Sequence, residues 1–287
     1  MKPCIVELDQ LLLGSALACL TVSEQSYLAD VLSRCNGLPS LEQLWRLMDE
    51  QWQLHQCDPN LMDERVSAFY RHPVWLLNGL FIEQDPESLS HRHAFADWAV
   101  SQAPARVADF GGGFGGLARR IGAELPRAQV DVVEPHPHAA AIALAAMAPN
   151  VSYRPTLRGP YDIIIATDVF EHVTDPIGLA AATAAELRVG GHYLMANCFQ
   201  PVIQCHLPQL FHLQIGWDAA MRAMGLQPLV HVQYGRVYRR SGDLDVSSAR
   251  KMEALARNVF PVVRRLAKGR VKVGSAIMSL LTQPLAS

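Results

Sequence analysis

Charge is scarce in this chain. Asp, Glu, Lys and Arg make up only 18% of its 287 residues, and 25 basic against 27 acidic side chains leave a formal net charge of −2. That balance excludes a general electrostatic pull on nucleic acid, while a composition that is 50% hydrophobic excludes a disordered chain. The cysteines are few and scattered. Cys4, Cys19, Cys35, Cys57, Cys198 and Cys205 form no Cys-x-x-Cys pair, which rules out the common zinc patterns and predicts buried, reduced thiols in a cytoplasmic protein. Long apolar runs are also missing. Residues 11–20 are nearly all apolar but too few to span a bilayer, and Glu7 and Asp9 stand where a secretory leader would be basic. A buried helix is the expectation there, with no membrane partner. There is no internal repeat and no low-complexity linker.

What the chain does have is glycine in one place. Arg106-Val107-Ala108-Asp109-Phe110 is a short apolar run ending in an acid, and Gly111, Gly112, Gly113, Gly115 and Gly116 follow within six residues. A helix-like stretch over 117–125 comes next. Strand, tight turn and helix start is how an α/β fold brings bare backbone against a ligand. Gly111, Gly113 and Gly116 also satisfy a dinucleotide fingerprint, a weak pattern by itself. Asp109 breaks the tie, because a carboxylate beside the turn repels a pyrophosphate and attracts an ammonium group. Glu134 ends the next apolar run, where it suits the two hydroxyls of a ribose. S-adenosylmethionine (SAM), which carries an amine and a sulfonium but no phosphate, fits this pair better than NAD.

Four segments in order then carry a resemblance: Asp109-x-Gly111-x-Gly113-x-Gly115; Glu134 after the second strand; residues 161–176, with Asp168-Val169-Phe170-Glu171-His172; and 187–194. They resemble class I SAM-dependent methyltransferases over about 105–240. The resemblance implies a Rossmann-like α/β fold, mostly parallel with an antiparallel final strand. It also implies SAM as cofactor, held by Asp109, Gly111, Gly113, Gly115, Glu134, Pro135, Thr167, Asp168 and Val169. Family members often place an acid soon after the third strand for the adenine; here the loop reads Pro155-Thr156-Leu157-Arg158, which leaves that contact unassigned. The whole chain is also similar to the azetidine-2-carboxylate synthases of bacterial secondary metabolism.

Around that sheet domain (103–241) the pattern predicts an N-terminal helical cap (1–102) and a C-terminal helical tail (242–287). In the cap, helices are expected from Ser23 to Cys35, from Ser40 with Leu41, Leu44, Trp45, Met48 and Trp52 on one face, and over 61–71, 74–82 and 86–101. Tyr70, Trp75, Asn78 and Phe81 are candidate substrate contacts; aromatic rings suit a sulfonium, although helix–helix core is the commoner use. Strands are expected at 107–110, 130–134, 151–154, 161–167 and 192–198, with a closing pair at 226–233 and 236–239. Helices are expected over 135–148 and 176–187, the latter stopped by Gly190-Gly191. The basic helix after Ser241 reads as a solvated or packing face, lacking the interleaved aromatics of a nucleic-acid surface.

Candidate catalytic residues are Asp168, His172, Asn197 and His206, with His212 a further polar candidate in the insert 199–217. Asp168, Glu171 and His172 raise the question of a divalent cation, but a helix start that holds the loop is the simpler reading, so no metal is expected. Methyl transfer to a small-molecule substrate is the leading function. Its alternative is attack of SAM's own amine on its γ-carbon, giving azetidine-2-carboxylic acid and methylthioadenosine. A non-catalytic SAM-binding partner protein is a third possibility, which any turnover would eliminate, and an NAD-dependent dehydrogenase a fourth, which comparative binding would settle.

Overall fold

The structure is a computed structural model that describes residues 14–281, with side chains described over 16–266; the first half of the apolar run at 11–20 therefore lies outside the described side chains, and Ala16 and Leu20 in the second half are buried. Five helices follow the short α1 (Gly14–Leu17): α2 (Val22–Cys35), α3 (Leu41–Leu54), α4 (Glu64–Tyr70), α5 (Pro73–Ile82) and α6 (Pro86–Ser101). Their starts are written in the sequence. Ser40 and Gln43 form a reciprocal capping box on α3, and Asp85 caps α6 ahead of Pro86. Thr21 rather than Ser23 caps α2, because Thr21 has the extended backbone of a cap and its partner Glu24 stands three residues on. Asn36, at φ 55°, ends that helix in the left-handed conformation. Leu28, Leu32, Leu44, Met48, Trp52, Phe69 and Leu77 of these helices are buried in one core that also takes in Phe114, Ala140, Leu144 and Ile203.

The second layer is a seven-stranded sheet: β1 (Arg106–Phe110), β2 (Gln129–Val133), β3 (Val151–Arg154), β4 (Tyr161–Thr167), β5 (Leu187–Ala196), β6 (Leu226–Val232) and β7 (Gly235–Arg240). The order is β3-β2-β1-β4-β5-β7-β6. Strands β1 to β5 run parallel, and β7 joins β5 antiparallel. Between them run α7 (Gly116–Glu124), α8 (Ala139–Ala145), α9 (Pro176–Ala185) and α10 (Leu213–Met224), and α11 (Val246–Leu281) closes the chain. This is the Rossmann-like class I fold.

Helix α6 packs on the sheet: Phe95, Ala96 and Ala99 share a core with Val107, Val130 and Ile163. Two expectations need correction. Gly190 and Gly191 do not stop a helix; α9 has already ended at Ala185, and both glycines lie in β5, where the register with β4 shifts. The helix expected over 135–148 shrinks to α8, starting after His138, whose Nδ1 accepts the Ala140 N–H.

Among the described thiols Cys205 is buried and Cys35, Cys57 and Cys198 are half-buried. On the closing helix, Ala249 and Ala256 are buried, and Gly216 of α10 admits the Ala256 methyl at close range. Arg250 of that helix pairs with Asp175 at 2.6 Å. Among the described residues no helix is long and apolar enough to cross a membrane.

Candidate active site

The carboxyl ends of β1, β2 and β4 meet at the glycine turn, the position at which open parallel sheets bind ligands. Gly111, Gly113 and Gly115 all have positive φ (70°, 49° and 71°), which side chains other than glycine's rarely adopt. Gly111 is also pressed by its neighbour: a Cβ there would sit 2.5 Å from Val169 Cγ2. Gly113 is different, since a Cβ there would meet nothing within 4 Å. Open space over bare backbone, ahead of the α7 N-terminus, is what a ligand's polar end requires.

Asp109 lies under this turn rather than in the open. It is only 1% exposed, a Cβ on Gly112 would fall 2.6 Å from its Oδ2, and that oxygen has no hydrogen-bond partner. Burial pushes its pKa up to about 6, against the opposing pull of the Arg92 guanidinium. Glu134 is half-buried; its Oε1 accepts the His136 N–H at 3.3 Å, and burial raises its pKa. Pro135 follows, exposed. The orphaned Asp109 oxygen, the open Gly113 cradle and Glu134 beside it fit a cationic nucleoside such as SAM.

Thr167 closes β4 opposite Ala196. Asp168 turns out of the sheet at φ 54°. Its carboxylate is open to solvent yet surrounded by protein, as at the floor of a depression, and desolvation raises its pKa despite the Tyr234 hydroxyl, Arg92, His206 and His91 nearby. Tyr234 donates to Asp168 Oδ2 at 2.8 Å, and its ring rests on His91 at 5.0 Å and Phe95 at 5.6 Å.

The following turn, Phe170–His172, is tied to the insert after β5. Cys198 N–H donates to Glu171 Oε1 at 2.6 Å, and Leu207 N–H donates to the Glu171 carbonyl at 3.0 Å. Glu171 is 1% exposed and its Oε2 has no partner; burial, with Asp168's charge adding to it, lifts its carboxyl well above the ordinary range. His172 Nδ1 lies 3.1 Å from the Cys205 carbonyl, and His206 Nδ1 2.8 Å from the Gln200 carbonyl. A carbonyl only accepts, so both rings carry their proton on Nδ1 and leave Nε2 with a lone pair. Desolvation drives the His172 pKa down to about 3 and lowers that of His206, so both are neutral. The two ring centres are 4.9 Å apart.

The cap supplies a wall to this corner. Tyr70 and Trp75 lie 5.0 Å apart, and each meets the His172 ring edge-on at 6.2 Å. Helix α5 docks directly on the glycine turn: a Cβ on Gly79 would strike the Phe114 ring at 2.7 Å, and Glu83 pairs with Arg119. A cleft of about 630 Å³ opens beside the insert, lined among others by Asp49, Trp52, Gln56, Ile203, Gln204 and His206.

Some expected site residues are engaged elsewhere. Phe81 is 6% exposed within the cap core, on the face of α5 turned inward. Asn78 is half-buried on the same helix. Asn197 lies between β5 and α10, where an amide turned to satisfy both its ends donates to the Ala196 carbonyl and accepts the Trp217 indole N–H at 3.2 Å. His212 is buried and faces Glu253 of α11 at 3.4 Å, not the site. Conversely, Tyr234, His91 and Arg92 act on Asp168 although no local pattern marks them; only sheet order brings the β6–β7 turn and α6 to that point.

The parallel sheet with its antiparallel edge, the left-handed glycine turn and the acid after β2 define the class I SAM-dependent methyltransferase architecture, and SAM is the methyl donor of that class. Residues 81–234 match the methyltransferase-domain family. The chain belongs to that family. No curated protein gives a significant match to the sequence. Among solved structures, an O-methyltransferase family protein from Burkholderia thailandensis is 12% identical, covering 79% of this chain and 87% of its own, with a TM-score of 0.49. Human N-acetylserotonin methyltransferase in complex with SAM is 14% identical over 76% of this chain and 71% of its own, TM-score 0.45. The plantazolicin methyltransferase BpumL in complex with SAH is 18% identical over 42% of this chain, TM-score 0.33, and the chain spans 56% of that protein's length. These are likenesses of fold.

Proposed function

We propose that this protein is a cytoplasmic enzyme that transfers the methyl group of SAM to a small acceptor molecule, in secondary metabolism, with the acceptor held between the carboxyl end of β4 and the cap. The observation that carries this reading is the juxtaposition of the open Gly113 cradle with the closed corner built by Tyr70, Trp75, His172 and His206. Methyl transfer requires an in-line nucleophile and a site that keeps water away; the aromatic wall supplies enclosure, and the turn fixes one end of the donor. SAM would lie with its amino-acid end toward Gly111–Gly115 above Asp109 and its ribose toward Glu134. The two neutral imidazoles keep their Nε2 lone pairs free, and burial that lowers both pKa values disfavours protonation there.

Incubating the purified protein with SAM, first alone and then with a panel of small phenols, amines and carboxylates, tests the reading by mass spectrometry. S-adenosylhomocysteine appearing only with an acceptor supports it. Methylthioadenosine with azetidine-2-carboxylic acid from SAM alone would establish cyclisation instead. Tight binding of SAM with no product under any condition would leave a binding protein.

A further inference from the structure

Nothing in the methyl-transfer reading uses the buried carboxylate of Glu171, and its surroundings are unusual. One oxygen is bonded to the Cys198 N–H, while the other is buried and has no partner. An ionisable group left this way is costly unless something meets it. Two ring nitrogens do stand nearby: donor atoms of Glu171, His172 and His206 all lie within 4.8 Å of one another.

We infer that Glu171, His172 and His206 form a binding site for one divalent transition-metal ion of the zinc type. The set of two histidines and one carboxylate matches open three-ligand metal sites, which keep a position for water or another oxygen. Orientation favours it as well. Histidines that bind metal through Nε2 characteristically donate Nδ1–H to a carbonyl or carboxylate, which fixes the ring. Here Cys205 O and Gln200 O serve that purpose for His172 and His206. All three side chains are carried on segments pinned to each other, by Cys198 N–H on Glu171 and Leu207 N–H on the Glu171 carbonyl, so the site is built in rigid backbone. With bonds of about 2.1 Å, tetrahedral ligand atoms lie about 3.4 Å apart, so loading from separations within 4.8 Å draws the three groups together by at most about 1.4 Å.

In the sequence the question of a cation arises for Asp168, Glu171 and His172, and no metal is expected there. The fold replaces Asp168, which is engaged by Tyr234, with His206, from the insert 34 residues beyond His172 in the chain. His206 also lines the 630 Å³ cleft, so a metal on it would be reachable by an oxygen of a molecule entering there. Binding itself does not depend on the methyl-transfer reading.

The test uses the full-length protein, stripped with chelator and titrated with Co²⁺ followed by visible absorbance, then with Zn²⁺ in competition. One equivalent of Co²⁺ giving ligand-field bands, displaced by Zn²⁺, is expected. His206→Gln and Glu171→Gln should each weaken binding by about 100-fold or more, while His93→Gln, at an exposed histidine of α6, should leave it unchanged. Circular dichroism checks that each variant is folded. If folded wild-type protein takes up neither metal, the site does not exist. The same conclusion follows if a folded His206 or Glu171 variant binds as tightly as wild type. Should either of those variants fail to fold, the other and the wild-type titration still decide the matter.

Discussion

The Tyr234 hydroxyl donates to Asp168 Oδ2 at 2.8 Å across 66 residues of chain. The bond ties the β6–β7 turn to the end of β4, and it holds the Asp168 carboxylate at the floor of the site. Tyr234→Phe removes the donor and keeps the ring against His91 and Phe95. Because Tyr234 is 41% exposed, water replaces part of the lost bond, and SAM affinity should fall only about threefold to tenfold. Isothermal titration with SAM measures this; unchanged affinity would mean that Asp168 does not bear on the donor.

Asp109 makes a prediction about pH. Its pKa is raised to about 6 from 3.8 by burial. An acid with a raised folded-state pKa favours folding fully below its unfolded pKa, and that contribution is lost as pH rises through about 6, at a cost of up to about 3 kcal/mol. Asp109→Asn should therefore raise stability at pH 8 relative to wild type, with the advantage vanishing near pH 4. Urea denaturation at the two pH values reads it. The same substitution should weaken SAM binding, and wild-type affinity should itself drop below about pH 6 as the carboxylate takes up a proton.

Gly113 and Gly79 separate two roles of small residues. At Gly113 the added methyl of an alanine meets no protein atom, so Gly113→Ala should cost about 1 kcal/mol of backbone strain while reducing SAM affinity sharply by filling the cradle. Gly79→Ala instead drives a methyl into the Phe114 ring, costing about 1–3 kcal/mol of stability as α5 is pushed off the glycine turn. Thermal melts with and without SAM distinguish the two outcomes.

Glu134→Ala removes the acid placed for the ribose and leaves β2 intact. A charge-assisted pair of hydrogen bonds is worth about 1.5–3 kcal/mol, so SAM and S-adenosylhomocysteine should both bind roughly 10- to 100-fold more weakly. Equal binding of both by the variant and wild type would remove Glu134 from the cofactor site.

The sequence by itself determined the glycine turn, the acid after β2, the extents of β3 and β4, and the starts of α3, α5, α6, α7 and α9 to within a residue. These depend on local physics: left-handed backbone at glycine, side-chain caps, and continuous apolar runs for strands buried on both faces. Gly190 and Gly191 were misleading because the same residues that end helices also relax a strand at a register shift. Tertiary structure alone decided the rest. It placed α6 on the sheet, turned Phe81 into the cap core and gave Asn197 to Trp217. It also brought Tyr234 to Asp168, and Glu171, His172 and His206 into one corner. Each of these turns on which face of an element is covered by a partner distant in the chain, and that is set by packing rather than by the pattern of neighbouring residues.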